Sequence, residues 1–192
     1  MKKVFLILGI LIFGMGNSQV IIGDNVGTAS NKTSVLLEFA NGQNKGIILP
    51  YVRTIPTGAG LVEGTIILDA STSSSAKVLY YNGVTTDGKT GWVDLSSGHG
   101  ANVSTFLSEQ PLSTGANAVV EDEGAKAIIG AETTSAQGVL VLESNTKAMV
   151  LPMVESTDNV LDPAPGMMVF INKTGAKRLA VFNGEGWTYW KP

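Results

Sequence analysis

The chain of 192 residues contains no cysteine and a single histidine. Without cysteine it cannot form disulfides, bind zinc through thiolates or carry a lipid on a cysteine side chain. The histidine, His99, stands between two glycines, where no rigid element would hold it within hydrogen-bonding distance of a nucleophile. We therefore interpret His99 as a solvated side chain rather than a catalytic base.

Charge is also scarce, because only 15% of the residues are Asp, Glu, Lys or Arg. The 16 acidic residues outnumber 13 basic ones, which form no cluster, so nucleic acid is not an expected partner. Glu38 and Glu143 are the candidate carboxylate pair of a glycosidase, but both occupy the same place in a repeated motif, which favours a structural role. The acidic run at 121–123 lacks the ligand spacing of a calcium loop. We predict no enzymatic activity, no cofactor and no metal site.

The N-terminal residues have the layout of a secretory signal peptide. Lys2 and Lys3 precede an apolar run from Val4 to Met15, and small residues lead to a cleavage site after Ser18. The run is too short for a membrane span, which needs about 20 apolar residues. We expect export and cleavage, and we expect no membrane span in the mature chain, whose location is then extracellular or on the outer cell surface.

The remainder of the chain carries one arrangement twice. An apolar run ends in Glu38 or Glu143, and the motif that follows is "KGIILP" at 45–50 and "KAMVLP" at 147–152. Each copy continues to an Asn-Gly pair and then to Gly-Trp. The spacing between matching residues changes only in stretches rich in Gly, Ser and Thr, as loop insertions between constant strands would produce. An internal duplication of roughly 65 residues therefore organises the protein.

Short apolar runs bounded by Gly, Pro, Asn or Ser predict strands in both copies. The candidates are "SVLLEF", "GIILP", "GTIILD" and "KVLYY" in the first copy and "VLVLE", "AMVLP", "GMMVFI" and "RLAVF" in the second. Asn-Gly predicts a hairpin at the end of each copy. The predicted fold class is mainly β: two tandem β-rich repeats of short strands and hairpins, with little helix.

The repeat sets the expected boundaries. Pro50 and Pro152 are expected to end strands, because proline donates no hydrogen bond to a sheet. A helical turn is expected at 156–161. The segment between the copies is interpreted as a linker that adds either a strand, "NAVVE", or a short helix near "STFLSEQ". The predicted organisation is a signal peptide at 1–18, a first repeat at 19–96, a linker at 97–126 and a second repeat at 127–192.

These motifs, taken in order, resemble a repeat of exported surface proteins of gliding bacteria that use type IX secretion. The matching elements are "NKGIILPYV", "GLVEGTIILDAS", "KVLYYNG" and "GWVDL", and the second copy repeats them. Tyr51 and Met153 replace an Arg usual after Leu-Pro, and Ala148 replaces a usual Gly. Such repeats are similar in style to trimeric tail-fibre and adhesin-stalk modules. The resemblance implies a non-enzymatic surface component.

Aromatic residues and one polar loop supply the candidate interaction residues. Neighbouring strand residues face opposite sides, so Tyr80 and Tyr81 cannot both point inward, and Trp190 faces away from Trp187 and Tyr189. We interpret the repeated Trp92 and Trp187 as core residues. The insertion "VTTDGKT" in the first hairpin has no apolar anchor and is expected to be exposed. The candidate interaction residues are Tyr81, Asp87, Lys89, Tyr189 and Trp190.

Size completes the argument for an association role. A unit of roughly 60 residues buries only about 60% of the surface that its unfolded chain exposes. Several strands are apolar at successive positions, which implies burial on both faces. Each copy therefore needs a neighbour, and we predict a structural or adhesion component that works by protein–protein association. Its partner is either itself, as a homotrimer, or a larger exported surface protein; the alternative function is binding of a surface glycan through exposed Trp and Tyr.

Overall fold

The computed structural model describes residues 19–109, 122 and 124–190. The predicted signal peptide at 1–18 and the predicted strand "NAVVE" lie outside the described residues. Strands account for 32% of the chain and helices for 4%, so the prediction of a mainly β fold with little helix is confirmed. The short strands stack in coils, which produces a β-solenoid-like arrangement.

The strands of the two copies correspond one to one. Those of the first copy are β1 (Val20–Ile22), β2 (Val35–Phe39), β3 (Ile47–Ile48), β4 (Tyr51–Val52), β5 (Ile66–Asp69), β6 (Lys77–Tyr81) and β7 (Trp92–Asp94). Those of the second copy are β8 (Ala127–Ile129), β9 (Leu140–Leu142), β10 (Ala148–Met149), β11 (Met153–Val154), β12 (Met167–Ile171), β13 (Arg178–Phe182) and β14 (Trp187–Trp190).

Two helical segments accompany the strands within the described residues. The helix α1 (Ser104–Glu109) lies where a short helix was one of the two expectations, and a 3₁₀ turn at Thr157–Asn159 lies within the expected helical turn. The Ser156 hydroxyl caps this turn by accepting a hydrogen bond from the Asp158 N–H. Residues 101–107 pack into the protein, because Ala101 and Val103 are fully buried and Ala101 pairs with Ala76.

Each copy contains a sheet built from its last four strands. In the first copy the order is β4-β5-β6-β7, with β4 parallel to β5 and the remaining pairs antiparallel. In the second copy the order β11-β12-β13-β14 has the same directions. The hairpin predicted from Asn-Gly closes through Asn183, whose side-chain oxygen accepts hydrogen bonds from the N–H groups of Glu185 and Gly186.

The prolines join strands instead of only ending them. The expectation that Pro50 and Pro152 end strands is correct for the preceding strands, but β4 and β11 begin directly after them. A proline lacks an N–H yet keeps its carbonyl, and the Pro50 carbonyl accepts from the Leu68 N–H at 3.0 Å. The first two residues after each proline therefore form a strand, which the expectation of a strand end at proline did not include.

One hydrophobic core extends across both copies. It combines residues of the first copy, of the segment between the copies and of the second copy: Leu68, Ala70, Ala76, Val78, Ala101, Val103, Leu107, Met168 and Val181. A second buried cluster lies within the second copy and contains Val154, Val160, Met167, Val169, Ile171 and Ala180. The Tyr51 hydroxyl donates to the Pro165 carbonyl at 2.7 Å across the two copies, and burial raises the pKa of this phenol.

Candidate functional site

The two copies exchange strands. β10 of the second copy pairs in parallel with β2 of the first, so that β1-β2-β10 forms a three-stranded sheet. β3 of the first copy pairs in the antiparallel sense with β12 of the second, opposite Met167 and Met168. Because β3 and β10 are the equivalent "KGIILP" and "KAMVLP" segments, the duplicated motif is the element that each copy uses to hold the other.

This exchange of strands buries part of the apolar surface that each repeat would otherwise expose. Val35, Leu36 and Leu37 of β2 lie between β1 and β10 and are buried. The predicted need for a neighbour is thus met in part by the sister copy. Exposed aliphatic side chains remain on other strands, among them Ile48 of β3 and Leu140 of β9. These positions form the candidate surface for association with a further chain.

The repeated glutamates serve structure. Glu38 is fully buried, and its carboxylate accepts hydrogen bonds from the N–H groups of Thr28 and Ala29 and from Lys32, whose Nζ lies 2.5 Å away. Burial alone would raise the pKa of Glu38, but the Lys32 ammonium and these N–H groups outweigh it, and the pKa lies below its usual value.

The equivalent Glu143 is half-buried and accepts from the Thr134 hydroxyl. Both carboxylates therefore connect the start of a copy to the strand that follows, and each is occupied by its own loop. This arrangement matches the structural role expected from the repetition of the two glutamates.

The candidate aromatic residues of the second hairpin already have partners within the chain. The Trp190 indole N–H donates to the Leu95 carbonyl at 2.6 Å, which connects the second hairpin to the first copy. The Tyr189 hydroxyl lies 3.0 Å from the Thr157 hydroxyl, and the Arg178 guanidinium lies 4.7 Å from the centre of the Tyr189 ring. Both aromatic side chains are still more than a third exposed.

The polar insertion of the first hairpin is exposed along residues 84–90. Asp87 and Gly88 have positive φ angles, and the Lys89 N–H donates to the Thr86 carbonyl, which together define a tight turn of the type I′ class. Asp87 and Lys89 therefore lie at the tip of an exposed turn. Their contact role stays a prediction.

The fifth candidate, Tyr81, lines an open groove of about 500 Å³. Its ring lies 5.2 Å from that of Trp92 at a tilt of 54°, and Leu79 and the Lys77–Asp94 ion pair also line the groove. The matching rings of the second copy, Phe182 and Trp187, pack against a buried cluster that includes Val160. The residue of the first copy that aligns with Val160 is Gly58, which lines the groove, and a Cβ added there would have no atom within 4 Å.

Within the described ranges, no helix is long and apolar enough to cross a membrane. The same part of the chain contains no group of three or more His, Cys, Asp or Glu side chains arranged to hold a metal ion.

Comparison with known proteins gives one match. Residues 128–192 match a family model described as a phage tail like trimerisation region. The matched residues run from β8 to the end of the chain and thus cover the second copy. No curated protein and no solved structure matches the chain. The match supports the likeness to tail-fibre modules and indicates a structural role through self-association.

Proposed function

We propose that this protein is an exported, non-enzymatic component of the cell surface that works by protein–protein association, as a fibre-type homotrimer. The observation that carries the proposal is the match of the second copy to a trimerisation region. The strand exchange supports it, because the duplicated motif pairs with strands outside its own repeat: β10 adds to β2, and β3 adds to β12. The signal-peptide layout of residues 1–18 supports export.

The trimer predicts a definite mass. The mature chain, purified from residue 19, is expected to have three times the mass of one chain in light scattering coupled to size exclusion, over a wide range of concentrations. A stable trimer is expected because the exposed aliphatic strands gain cover only in the assembly. A monomer at every concentration would contradict the proposal.

The second form of the same role is an accessory subunit of a larger exported surface adhesin, and the route of export that we propose is type IX secretion. Affinity purification of the tagged protein from the native cell envelope separates the two forms. Recovery of only this chain, in trimeric form, is expected for the fibre component. Recovery of one large surface protein in fixed proportion, together with a single copy of this chain, would favour the accessory subunit instead.

Glycan binding is a second candidate function, and the groove beside Tyr81 is the observation that favours it. Sugar rings stack on exposed aromatic faces while polar groups at the edge bind hydroxyls, and Tyr81 and Trp92 lie beside the Lys77–Asp94 pair. Trp190 is a poor probe for this function, because its loss would also remove the contact with Leu95.

Filling the groove tests this candidate. Thr57→Trp places a large side chain at the groove wall and is expected to reduce binding on a glycan array by about tenfold or more if the groove is the site. Thr86→Trp, on the exposed insertion outside that groove, is the matched control and should leave binding unchanged. Equal binding by both variants, or no glycan bound by the wild type, would dismiss the groove.

A further inference from the structure

The sheets of the two copies differ by one strand at equivalent places. β2 of the first copy is covered on one edge by β1 and on the other by β10. Its equivalent β9 is covered by β8, and within the described residues nothing pairs with its other edge. The two strands have nearly the same apolar sequence, so the sequence of β9 is compatible with a neighbour like the one that β10 provides for β2.

Burial reports the same difference. Val35 and Leu37 of β2 are 5% and 1% exposed, whereas Leu140, which corresponds to Val35, is 50% exposed and the preceding Val139 is 61% exposed. An aliphatic strand edge of this kind presents unpaired N–H and carbonyl groups beside apolar side chains, which is a template for the addition of another strand.

One edge of β3 has no partner among the described strands, and it matches the uncovered edge of β9. On the equivalent β10, the N–H groups of Ala148 and Val150 donate to carbonyls beside and within β2, those of Ser34 and Leu37. The residue equivalent to Val150 is Ile48. Because backbone groups alternate between the two edges of a strand, Ile48 directs its N–H away from β12, while Ile47 faces β12 opposite Met168.

The exposure of Ile48 agrees with this assignment. Its side chain is 55% exposed, although it lies in a strand that the second copy holds through the other edge. β3 thus pairs with β12 through one edge, and no strand in the described part of the chain pairs with its other edge. Among the described strands, the uncovered edge that matches this second edge is the one on β9 of another molecule.

We propose that β3 of another molecule of this protein adds in parallel to β9, in the way that β10 adds to β2 within one chain. By equivalence with the Met149–Leu37 pair, Ile47 of the added molecule lies opposite Leu142. The N–H of its Ile48 then donates to the Leu142 carbonyl. The contact joins two different surfaces, so repetition of it closes a ring or extends a fibre. The inference deepens the proposed self-association and rests on it.

Another molecule of this protein is the favoured partner, because the new pairing repeats the β10–β2 pairing that already joins the two repeats of one chain. The β3–β12 pairing, in contrast, is not expected to have an equivalent between molecules. A side chain at Gly46 of β3 would place its Cβ 2.8 Å from the Met168 carbonyl oxygen. Since Ala148 replaces this glycine in β10, β10 cannot approach β5 of another chain at the same spacing.

A proline substitution tests the strand addition. Ile48→Pro removes an N–H that the folded chain does not use for the β3–β12 pair, and proline is tolerated where the N–H of an edge strand faces solvent. It is expected to weaken self-association by about tenfold or more while the isolated chain keeps its thermal stability. Ile47→Pro is the matched control, because it breaks the internal pairing with Met168 and should lower stability.

Engineered cysteines test the register, and the natural absence of cysteine makes the result clear. The double variant Leu142→Cys, Ile47→Cys is expected to form disulfides between chains, seen as covalent oligomers on non-reducing gels. Leu37→Cys, Met149→Cys is the internal reference, which should form its disulfide within one chain. Val141→Cys, Ile47→Cys places the two thiols on opposite faces and should not link.

The outcomes separate this inference from the proposed function. A wild-type trimer that Ile48→Pro leaves intact, with no disulfide between chains in the Leu142→Cys, Ile47→Cys variant, would overturn the strand addition and leave trimerisation to another surface. A wild type that is monomeric at every concentration would overturn both. Covalent oligomers from that double variant, together with a weakened Ile48→Pro assembly, support both.

Discussion

Replacing Leu68 with alanine is expected to lower the free energy of unfolding by about 2–4 kcal/mol, as removal of a large buried aliphatic side chain usually does. Leu68 is fully buried in the core that both copies share, and Gly166 of the second copy lies against it. The cavity would therefore weaken the contact between the copies as well as the first copy itself. Denaturant unfolding at fixed protein concentration measures the change.

Leu161→Ala is the control for this experiment, because Leu161 is 83% exposed and its truncation should change stability little. Since the core is shared, Leu68→Ala is expected to shift a single transition for the whole chain. Two separate transitions, with only the first sensitive to Leu68, would show that the copies fold independently and would contradict the shared core.

Replacing Glu38 with glutamine is expected to cost about 2–3 kcal/mol, because a buried charged acceptor is lost while its donors remain. Four groups donate to its carboxylate: the Gln19 amide, the N–H groups of Thr28 and Ala29, and the Lys32 ammonium. The Lys32 side chain is about one-third exposed, so solvent moderates its share of the loss.

The effect of Glu38 depends on pH in a definite direction. The pKa of this carboxyl is lower in the folded protein than in the unfolded chain, where it is about 4.3. Its contribution is therefore fully present above the unfolded pKa and is lost as the pH falls through the folded pKa. The stability difference between wild type and Glu38→Gln should be constant near neutral pH and shrink in acid.

Glu143→Gln is the matched control, since this carboxylate has the same place in the repeat but is only half-buried. Its loss is expected to cost less than about 1 kcal/mol. Thermal unfolding of both variants from neutral pH to about pH 3 measures the two effects. Equal losses from the two substitutions, or a difference for Glu38 that grows in acid, would contradict the assignment of Glu38 as the buried anion.

Much of the fold was predictable from local sequence. The runs "SVLLEF", "GTIILD", "KVLYY", "GMMVFI" and "RLAVF" become β2, β5, β6, β12 and β13, because β-branched and aromatic residues bounded by turn residues leave few alternatives. The strands that were missed, β1, β4, β8 and β11, are two or three residues long. Their pairing depends on a distant parallel strand, which a local pattern does not report.

The candidate interaction residues were less predictable. The alternation of strand residues correctly separates Trp187 from Trp190, but it contains no sign that Trp190 donates to the Leu95 carbonyl 95 residues away. The groove beside Tyr81 coincides with a sequence difference between the copies that the strand patterns do not report. Alignment of the copies places Gly58, which lines the groove, where the second copy has the buried Val160.

The sequence alone determined that the protein is a duplicated, mainly β chain without cysteine, because repeats and strand propensity are local properties. Only the tertiary structure decided how the copies hold each other. The exchange of β3 and β10 joins strands far apart in the chain, and which strand of a similar pair is covered depends on backbone hydrogen bonds that any sequence can form. Similar sequences at β2 and β9 thus differ in burial, because β10 covers one edge of β2, whereas no strand of the described residues pairs with the equivalent edge of β9.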